Sequence, residues 1–401
     1  MKRILPLLMI LSVLMSLCGC AQLQGLLPEV ALQYEEPYLG FAQTVGEEFR
    51  LEEYLQIPLA QLENHQPKWG EYAVDVYYSR LDAAAQEVYR ILCYAMDMEQ
   101  PYILIDDRLL EGTAFSLQDI LYAMALDSPM VEQNLEWTYG DFTSTVTHSR
   151  IFSQPVVEKL TGKSLFVSDF TSEKLGKKKQ ALEKAQSVVE SFPRELTPQQ
   201  TAQAIYTYLG KNVQYFNIEE NRESADFLYD ALCTGKSNCD GFANAFSLLC
   251  SLTGIRCCEK LSQSSGEAEE GHTWNAVELD GVWYNVDATA AGGIDQKPTL
   301  LLHFGFSDER QDAGVWGSEL CPPCTRELFP YDCTLPGEKG AGKILKDALK
   351  KTDRDYLIVY VASGTLSKAA MQDIANTTRH DITTYHSQTR KGAAVYYIYF
   401  Q

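Results

Sequence analysis

Asp280-Gly281 lies between two runs of alternating character, His272 to Leu279 and Val282 to Thr289. A two-residue Asp-Gly loop is a strong hairpin signal, because both central positions of such a turn take positive φ. If these two residues form the loop, Leu279 opposes Val282, and continuing outward sets Trp274 opposite Asp287. Side chains alternate across a strand, so His272, Trp274, Trp283 and Asp287 share one face, while Val277, Leu279, Val282, Tyr284 and Val286 form an apolar face that needs a core. His272 and Asp287 become diagonal neighbours about 7–8 Å apart at the backbone, within reach of an imidazole–carboxylate hydrogen bond.

A helix signal lies upstream of the hairpin. Phe242, Ala243, Phe246, Leu249 and Cys250 recur on one stripe, and Gly254 suits a left-handed C-terminal cap. Cys239 falls in the first turn of that helix, exposed by the loop Gly235-Lys236-Ser237-Asn238. Helix N-terminal amides and a nearby imidazolium both favour a thiolate, which is an effective nucleophile. The chemistry then follows: His272 exchanges the proton of Cys239 and Asp287 orients the ring. The amide of Cys239, with Asn238 or Tyr215, would supply oxyanion donors, and Trp274 would shape the cleft. Taken singly, each residue has an ordinary reading as a buried thiol, a satisfied histidine or a turn-capping aspartate.

Taken together, Ala231-Leu232, Gly235, Cys239-Asp240-Gly241-Phe242-Ala243, Gly254-Ile255, Gly271-His272-Thr273-Trp274-Asn275 and Trp283-Tyr284-Asn285-Val286-Asp287-Ala288-Thr289 resemble the transglutaminase-like branch of the papain-like thiol enzymes. The resemblance covers roughly residues 197–291. It implies an α+β, papain-like core in which the Cys-bearing helix packs on an antiparallel sheet, and a catalytic Cys239, His272 and Asp287. It also implies amide-bond chemistry through a thioester, on a protein or peptide substrate, with no cofactor and no metal. A peptidase or amidase is favoured, because water is the default acceptor. The alternatives are a catalytically silent binding or scaffold lipoprotein and an amine-transferring transglutaminase. Ala290 stands where many relatives carry Trp, a departure that bears on cleft shape.

The chain start points to export. Lys2 and Arg3 precede an apolar stretch from Ile4 to Leu17, too short to span a bilayer but suited to a signal peptide. Leu17-Cys18-Gly19-Cys20 resembles the lipobox of bacterial lipoproteins, which implies lipidation at Cys20 and an extracytoplasmic, membrane-anchored protein. The domain arrangement resembles that of lipoproteins from anaerobic Gram-positive bacteria. A net charge of −20 argues against nucleic acid as a partner.

With 401 residues the chain can hold two or three domains. Residues 1–19 are read as signal peptide, 20–33 as tether, 34–168 as a mixed α/β accessory domain that spaces or binds a protein partner, 169–334 as the catalytic domain and 335–401 as a small α/β domain. Helices are expected around Leu81 to Met96, from Ser116 to Leu126, from Thr171 to Ser191, from Thr197 to Leu209 and from Thr365 to Asn376. Strands are expected at Pro101 to Ile105, Tyr356 to Val361, Asp381 to Tyr385 and Ala393 to Phe400. The run Lys177-Lys178-Lys179 reads as a solvated face. Beyond Cys18, Cys20 and Cys239, eight cysteines remain (Cys93, Cys233, Cys250, Cys257, Cys258, Cys321, Cys324 and Cys333), whose pairing the sequence leaves open. For Cys321-Pro322-Pro323-Cys324 a structural disulfide is favoured over a redox pair or a zinc site.

Overall fold

The computed structural model describes residues 38–45, 48–58, 72–97, 102–106, 110–130, 135–136, 163–168, 172–216, 226–262, 271–291, 302–310, 314–389 and 391–401. The leader, the lipobox cysteine Cys20 and the tether lie outside the described residues.

The N-terminal part comprises β1 (Tyr38–Val45), β2 (Glu48–Pro58), α1 (Ala83–Asp97), β3 (Tyr102–Asp106), α2 (Leu117–Asp127), β4 (Leu135–Glu136) and β5 (Lys163–Ser168). Its five strands form one sheet in the order β2-β1-β3-β5-β4. Ser116 opens α2 with a capping box shared with Asp119, two reciprocal hydrogen bonds that satisfy helix-end donors.

The middle part follows with α3 (Ser172–Glu190), α4 (Pro198–Asn212), β6 (Gln214–Tyr215), β7 (Lys236–Ser237), α5 (Cys239–Leu252), β8 (Cys257–Leu261), β9 (Thr273–Leu279), β10 (Val282–Val286) and β11 (Phe304–Phe306). Thr197 and Gln200 cap α4 reciprocally, and Pro198 sits at the first helical position. The order β11-β10-β9-β8 makes a four-stranded antiparallel sheet at the centre of the molecule. On one face, Val277, Leu279, Tyr284 and Val286 pack with Phe242, Phe246 and Leu249 of α5 and with Ile205, Tyr206 and Leu209 of α4. The expected apolar face therefore has its core. Residues Cys239 to Cys250 are buried all round, so α5 is a central helix rather than an amphipathic one with a single apolar stripe.

The other sheet face is also covered. Cys258 and Ala276 join a core built from Tyr77 together with Val88, Ile91 and Leu92 of α1 and Ile120, Leu121 and Met124 of α2. Asp127 organises this contact: its carboxylate accepts the amides of Val76 at 3.1 Å and of Tyr77 and Tyr78 at 2.9 Å. Tyr77, so held, donates its hydroxyl to the carbonyl of Glu259 in β8 at 2.9 Å. The N-terminal helices are thus packed onto the same sheet that carries the hairpin.

The lysine run departs from expectation. Lys178 is 3% exposed and its ammonium is bonded to the carbonyl of Met130, while Lys177 pairs with Asp226 at 2.8 Å. Of the three, Lys179 lies on a solvated face, since Lys178 turns inward to Met130 and Lys177 sideways to Asp226.

The C-terminal part contains β12 (Cys333–Leu335), α6 (Ala341–Leu349), β13 (Tyr356–Val361), α7 (Lys368–Thr378), β14 (Ile382–Gln388) and β15 (Ala394–Phe400). The strand order is β12-β13-β15-β14, with β12 parallel to β13 across the α6 crossover. Both β12 and α6 are additions to the sequence reading. The strand has three residues and the helix starts at a left-handed Gly340 without a side-chain cap, so neither carries a strong local signal. One face of this sheet packs on α6 and α7; the other places Ile358, Val395, Tyr397 and Tyr399 against Leu302.

Because Asp127 satisfies three backbone amides, Asp127→Ala should lower unfolding free energy by on the order of 3 kcal/mol, measured from denaturant midpoints. A loss below about 0.5 kcal/mol, the range of ordinary surface substitutions, would show that this clamp is dispensable.

Candidate active site

Three local structures converge on one point. Asn238 caps α5 by accepting the amide of Gly241 at 3.3 Å, which places Cys239 in the first turn. Gly235 adopts a left-handed conformation that closes the preceding helical turn, and β7 then pairs in parallel with β6. Gly241 is required by crowding: a Cβ there would lie 1.9 Å from Ser237 Oγ and 2.6 Å from the carbonyl oxygen of Phe227.

The hairpin closes as its sequence dictates. Asp280 has φ 52° and Gly281 φ 74°, and Leu279 faces Val282, Glu278 faces Trp283 and Val277 faces Tyr284. The ladder ends one step short of the expected Trp274–Asp287 pair, at Val286 facing Asn275. Asp287 instead donates its amide to the carbonyl of His303 at 2.9 Å, since residues 288–291 leave the strand as a 3-10 turn. The side chains still meet: His272 Nε2 lies 2.9 Å from Asp287 Oδ2. The Cys239 side chain acts on the same ring and favours its protonated form.

Residues 185–288 match the family model described as the transglutaminase-like superfamily. Residues 185–288 are a transglutaminase-like domain. The chain is 32% identical over 123 residues to the kyphoscoliosis peptidase of Homo sapiens, an alignment covering 28% of this chain and 19% of that protein. The mouse counterpart, from Mus musculus, is 30% identical over 117 residues, covering 26% of this chain and 18% of its own. This chain thus spans about a fifth of the length of the curated relatives it matches. Among solved structures, a TGase superposes at TM-score 0.25 and 15% identity, covering 34% of this chain and 44% of that one. A protein from Cytophaga hutchinsonii classed with the cysteine proteases superposes at TM-score 0.23 and 15% identity, covering 32% and 52% respectively.

Within the transglutaminase-like domain the electrostatics favour a protonated ring. Burial works against the charge on His272, but the hydrogen bond the ring donates to Asp287, and after it the side chain of Cys239, outweigh it and lift the imidazole to about 10. Burial likewise opposes ionisation of Asp287, yet His272 and then His303 hold its carboxyl below the usual range. His303 itself is lowered, by burial first and by Arg310 and His272 as neighbouring cations. The His272 side chain keeps about 33% exposure, so the pair is open to solvent on one side. Cys239 is 9% exposed.

The other residues singled out by sequence fall into different roles. Asn238 donates one amide hydrogen to Asp240 Oδ2 at 2.9 Å. Trp274 is 1% exposed and lines no cleft; its ring stacks on His272 with centroids 5.9 Å apart and planes 16° from parallel. Tyr215 lies on β6, 45% exposed, beside the nucleophile loop. Cys321 and Cys324 are buried free thiols, so the expected structural disulfide is not formed; Cys324 Sγ faces the ammonium of Lys260 at 3.3 Å instead. Cys233, Cys239, Cys250, Cys257, Cys258 and Cys333 are free thiols as well.

Sequence reasoning passed over several supports. Asp240 Oδ1 accepts the hydroxyl of Thr273 at 2.6 Å, tying the first turn of α5 to the strand beside His272. Ser262 Oγ accepts the amide of His272 at 2.7 Å. Asp240 and Thr273 do sit inside the two motif blocks and could have been paired from them, whereas Ser262 and Lys260 offer no such signal.

Two outcomes follow. Gly241→Ala should destabilise the protein by about 1–3 kcal/mol and slow alkylation of Cys239, since Ser237 and the loop must move; an unchanged melting temperature would contradict the crowding. For His272 the folded value of about 10 lies above the ordinary 6.5, so its contribution to stability is complete below pH 6.5 and fades as pH rises through 10. The stability gap between wild type and His272→Ala, followed by chemical denaturation, should therefore be wide near pH 6 and narrow towards pH 10.

Proposed function

We propose that the transglutaminase-like domain is a cysteine enzyme acting on amide bonds of proteins or peptides, with Cys239 as nucleophile, His272 as acid and base and Asp287 as the group that orients the ring. One observation carries this reading: the imidazole of His272 lies 2.9 Å from the carboxylate of Asp287, and its protonated form is favoured as well by the side chain of Cys239, which sits in the first turn of α5. In that arrangement the thiol proton passes to the ring and the sulfur attacks the carbonyl carbon. His272 then protonates the departing amine nitrogen, leaving a thioester on Cys239. Water, deprotonated by the now neutral ring, attacks the thioester and releases the carboxylic acid and the free thiol. The amide of Cys239 at the start of α5 is the oxyanion donor in this scheme, because helix N-terminal amides have no intrahelical acceptor.

Hydrolysis is proposed over transfer to an amine because water needs no binding site of its own. A curated relative named a peptidase supports the same side. Incubation with candidate peptides should give an acyl adduct on Cys239 by intact mass, absent in Cys239→Ala. Cys239→Ala and His272→Ala should each lower kcat/KM by on the order of 10³-fold or more. Added primary amine should leave the products unchanged; an amine-containing product would identify a transferase. No adduct, together with an alkylation profile at Cys239 that His272→Ala leaves unaltered, would favour a silent binding domain.

We propose further that Cys20 is lipidated and tethers the protein outside the cytoplasm. The lipobox-like Leu17-Cys18-Gly19-Cys20 supports this. Among the described residues no helix is long and apolar enough to cross a membrane. A fatty-acid analogue fed to expressing cells should label wild type and not Cys20→Ala.

A further inference from the structure

Directly across the β8–β9 ladder from Trp274 stands Lys260, a charged residue only 1% exposed. An ammonium with no access to water needs a partner for each donor, and this one has them. Nζ lies 2.9 Å from Asn285 Oδ1, 3.0 Å from Asp308 Oδ1 and 3.3 Å from Cys324 Sγ. The same Asn285 oxygen accepts Trp274 Nε1 at 3.1 Å. The Asn285 amide nitrogen is fixed in turn, donating to Asp308 Oδ1 at 2.9 Å and to the carbonyl of Phe306 at 3.2 Å. Trp274 then stacks on the imidazole of His272.

The path from ammonium to imidazole is therefore continuous. A methionine or leucine would fill the Lys260 volume without burying a charge, so packing alone does not call for lysine. What the ammonium adds is direction. With Asp308 it fixes both ends of the Asn285 amide, aims the oxygen at the indole nitrogen and so sets the plane of the ring against which His272 rests.

We infer that Lys260 is a positioning residue for the His272 imidazole, acting through Asn285 and Trp274. The inference rests on the Cys239–His272–Asp287 reading given above, and it adds a determinant on a strand that carries none of the three reacting groups.

The test reads the thiol–imidazole pair without a substrate. Iodoacetamide alkylation of Cys239 is followed against pH by peptide mass for wild type, Lys260→Met and Lys260→Met/Asp308→Asn, beside thermal unfolding of each. Lys260→Met should cut the alkylation rate near neutrality about tenfold by moving the profile up about one pH unit. The double variant removes the charge on Asp308 that has lost its ammonium partner, so it should regain melting temperature while keeping the displaced profile. A wild-type profile in Lys260→Met, or recovery of both properties in the double variant, would show that Lys260 serves stability alone. Should Lys260→Met fail to accumulate, Trp274→Phe cuts the indole link with a stacked ring retained, and the inference requires a shift in the same direction there. An ordinary thiol profile in the wild-type protein would overturn the triad reading itself, a result distinct from any change on substitution at Lys260.

Discussion

A turn of two residues decides which side chains can meet. Asp280 and Gly281 both take positive φ, the geometry whose twist matches that of antiparallel strands, and the register of β9 against β10 follows from it. Slipping that register by one residue would send Val277, Tyr284 and Val286 to the opposite face and His272 away from Asp287. The apolar contacts with α4 and α5 and the hydrogen bond at 2.9 Å are therefore consequences of one constraint. Fold and site are coupled through it.

The same sheet explains why α5 is buried on all sides. With α5 on one face and α1 and α2 on the other, the hairpin strands have no solvated surface over most of their length. Polar groups on them must then find partners inside. Asn244 donates to Glu259 at 3.2 Å, Asn275 donates to the carbonyl of Ala243 at 3.0 Å, and Thr273 donates to Asp240. Each of these bonds links α5 to a strand of the sheet, so the polar contacts fix the height of Cys239 relative to His272 while the apolar ones supply the driving force.

Much of this was legible in the residues. Alternation about Asp280-Gly281 gave register and faces, caps at Ser116, Thr197 and Gly254 located helix ends, and the spacing of Phe242, Phe246 and Leu249 located α5. What escaped had no local signature. The termination of β10 at Val286 depends on β11, a segment distant in sequence, drawing the amide of Asp287 to His303. Lys178 and Lys260 look like surface charges in any window, and only long-range partners at Met130, Asn285 and Asp308 make their burial tolerable. The Cys321–Cys324 spacing misled for the same reason, since spacing cannot reveal that an ammonium occupies the space beside the second sulfur.

Cys324 beside Lys260 and Cys239 beside His272 sit in environments that differ. Burial pushes Cys324 up to about 12 despite Lys260, and burial pressure on Lys260 is overcome by Cys324, Cys321 and Asp308, which hold its proton well above the ordinary lysine range. Neither partner of that pair can exchange a proton near neutrality. His272 sits in different surroundings: its value of about 10 arises from Asp287, 2.9 Å away, with the Cys239 side chain adding to it, and a third of its side chain faces solvent. A ring whose basicity depends on the charge of the sulfur beside it loses that support once the sulfur becomes acylated. In the proposed reaction its proton is then easier to release, which is the direction required for transfer to a departing amine. The buried ammonium is enclosed by fixed partners on every side, whereas the half-buried imidazole is held in its charged form by Asp287 and keeps one side open to solvent.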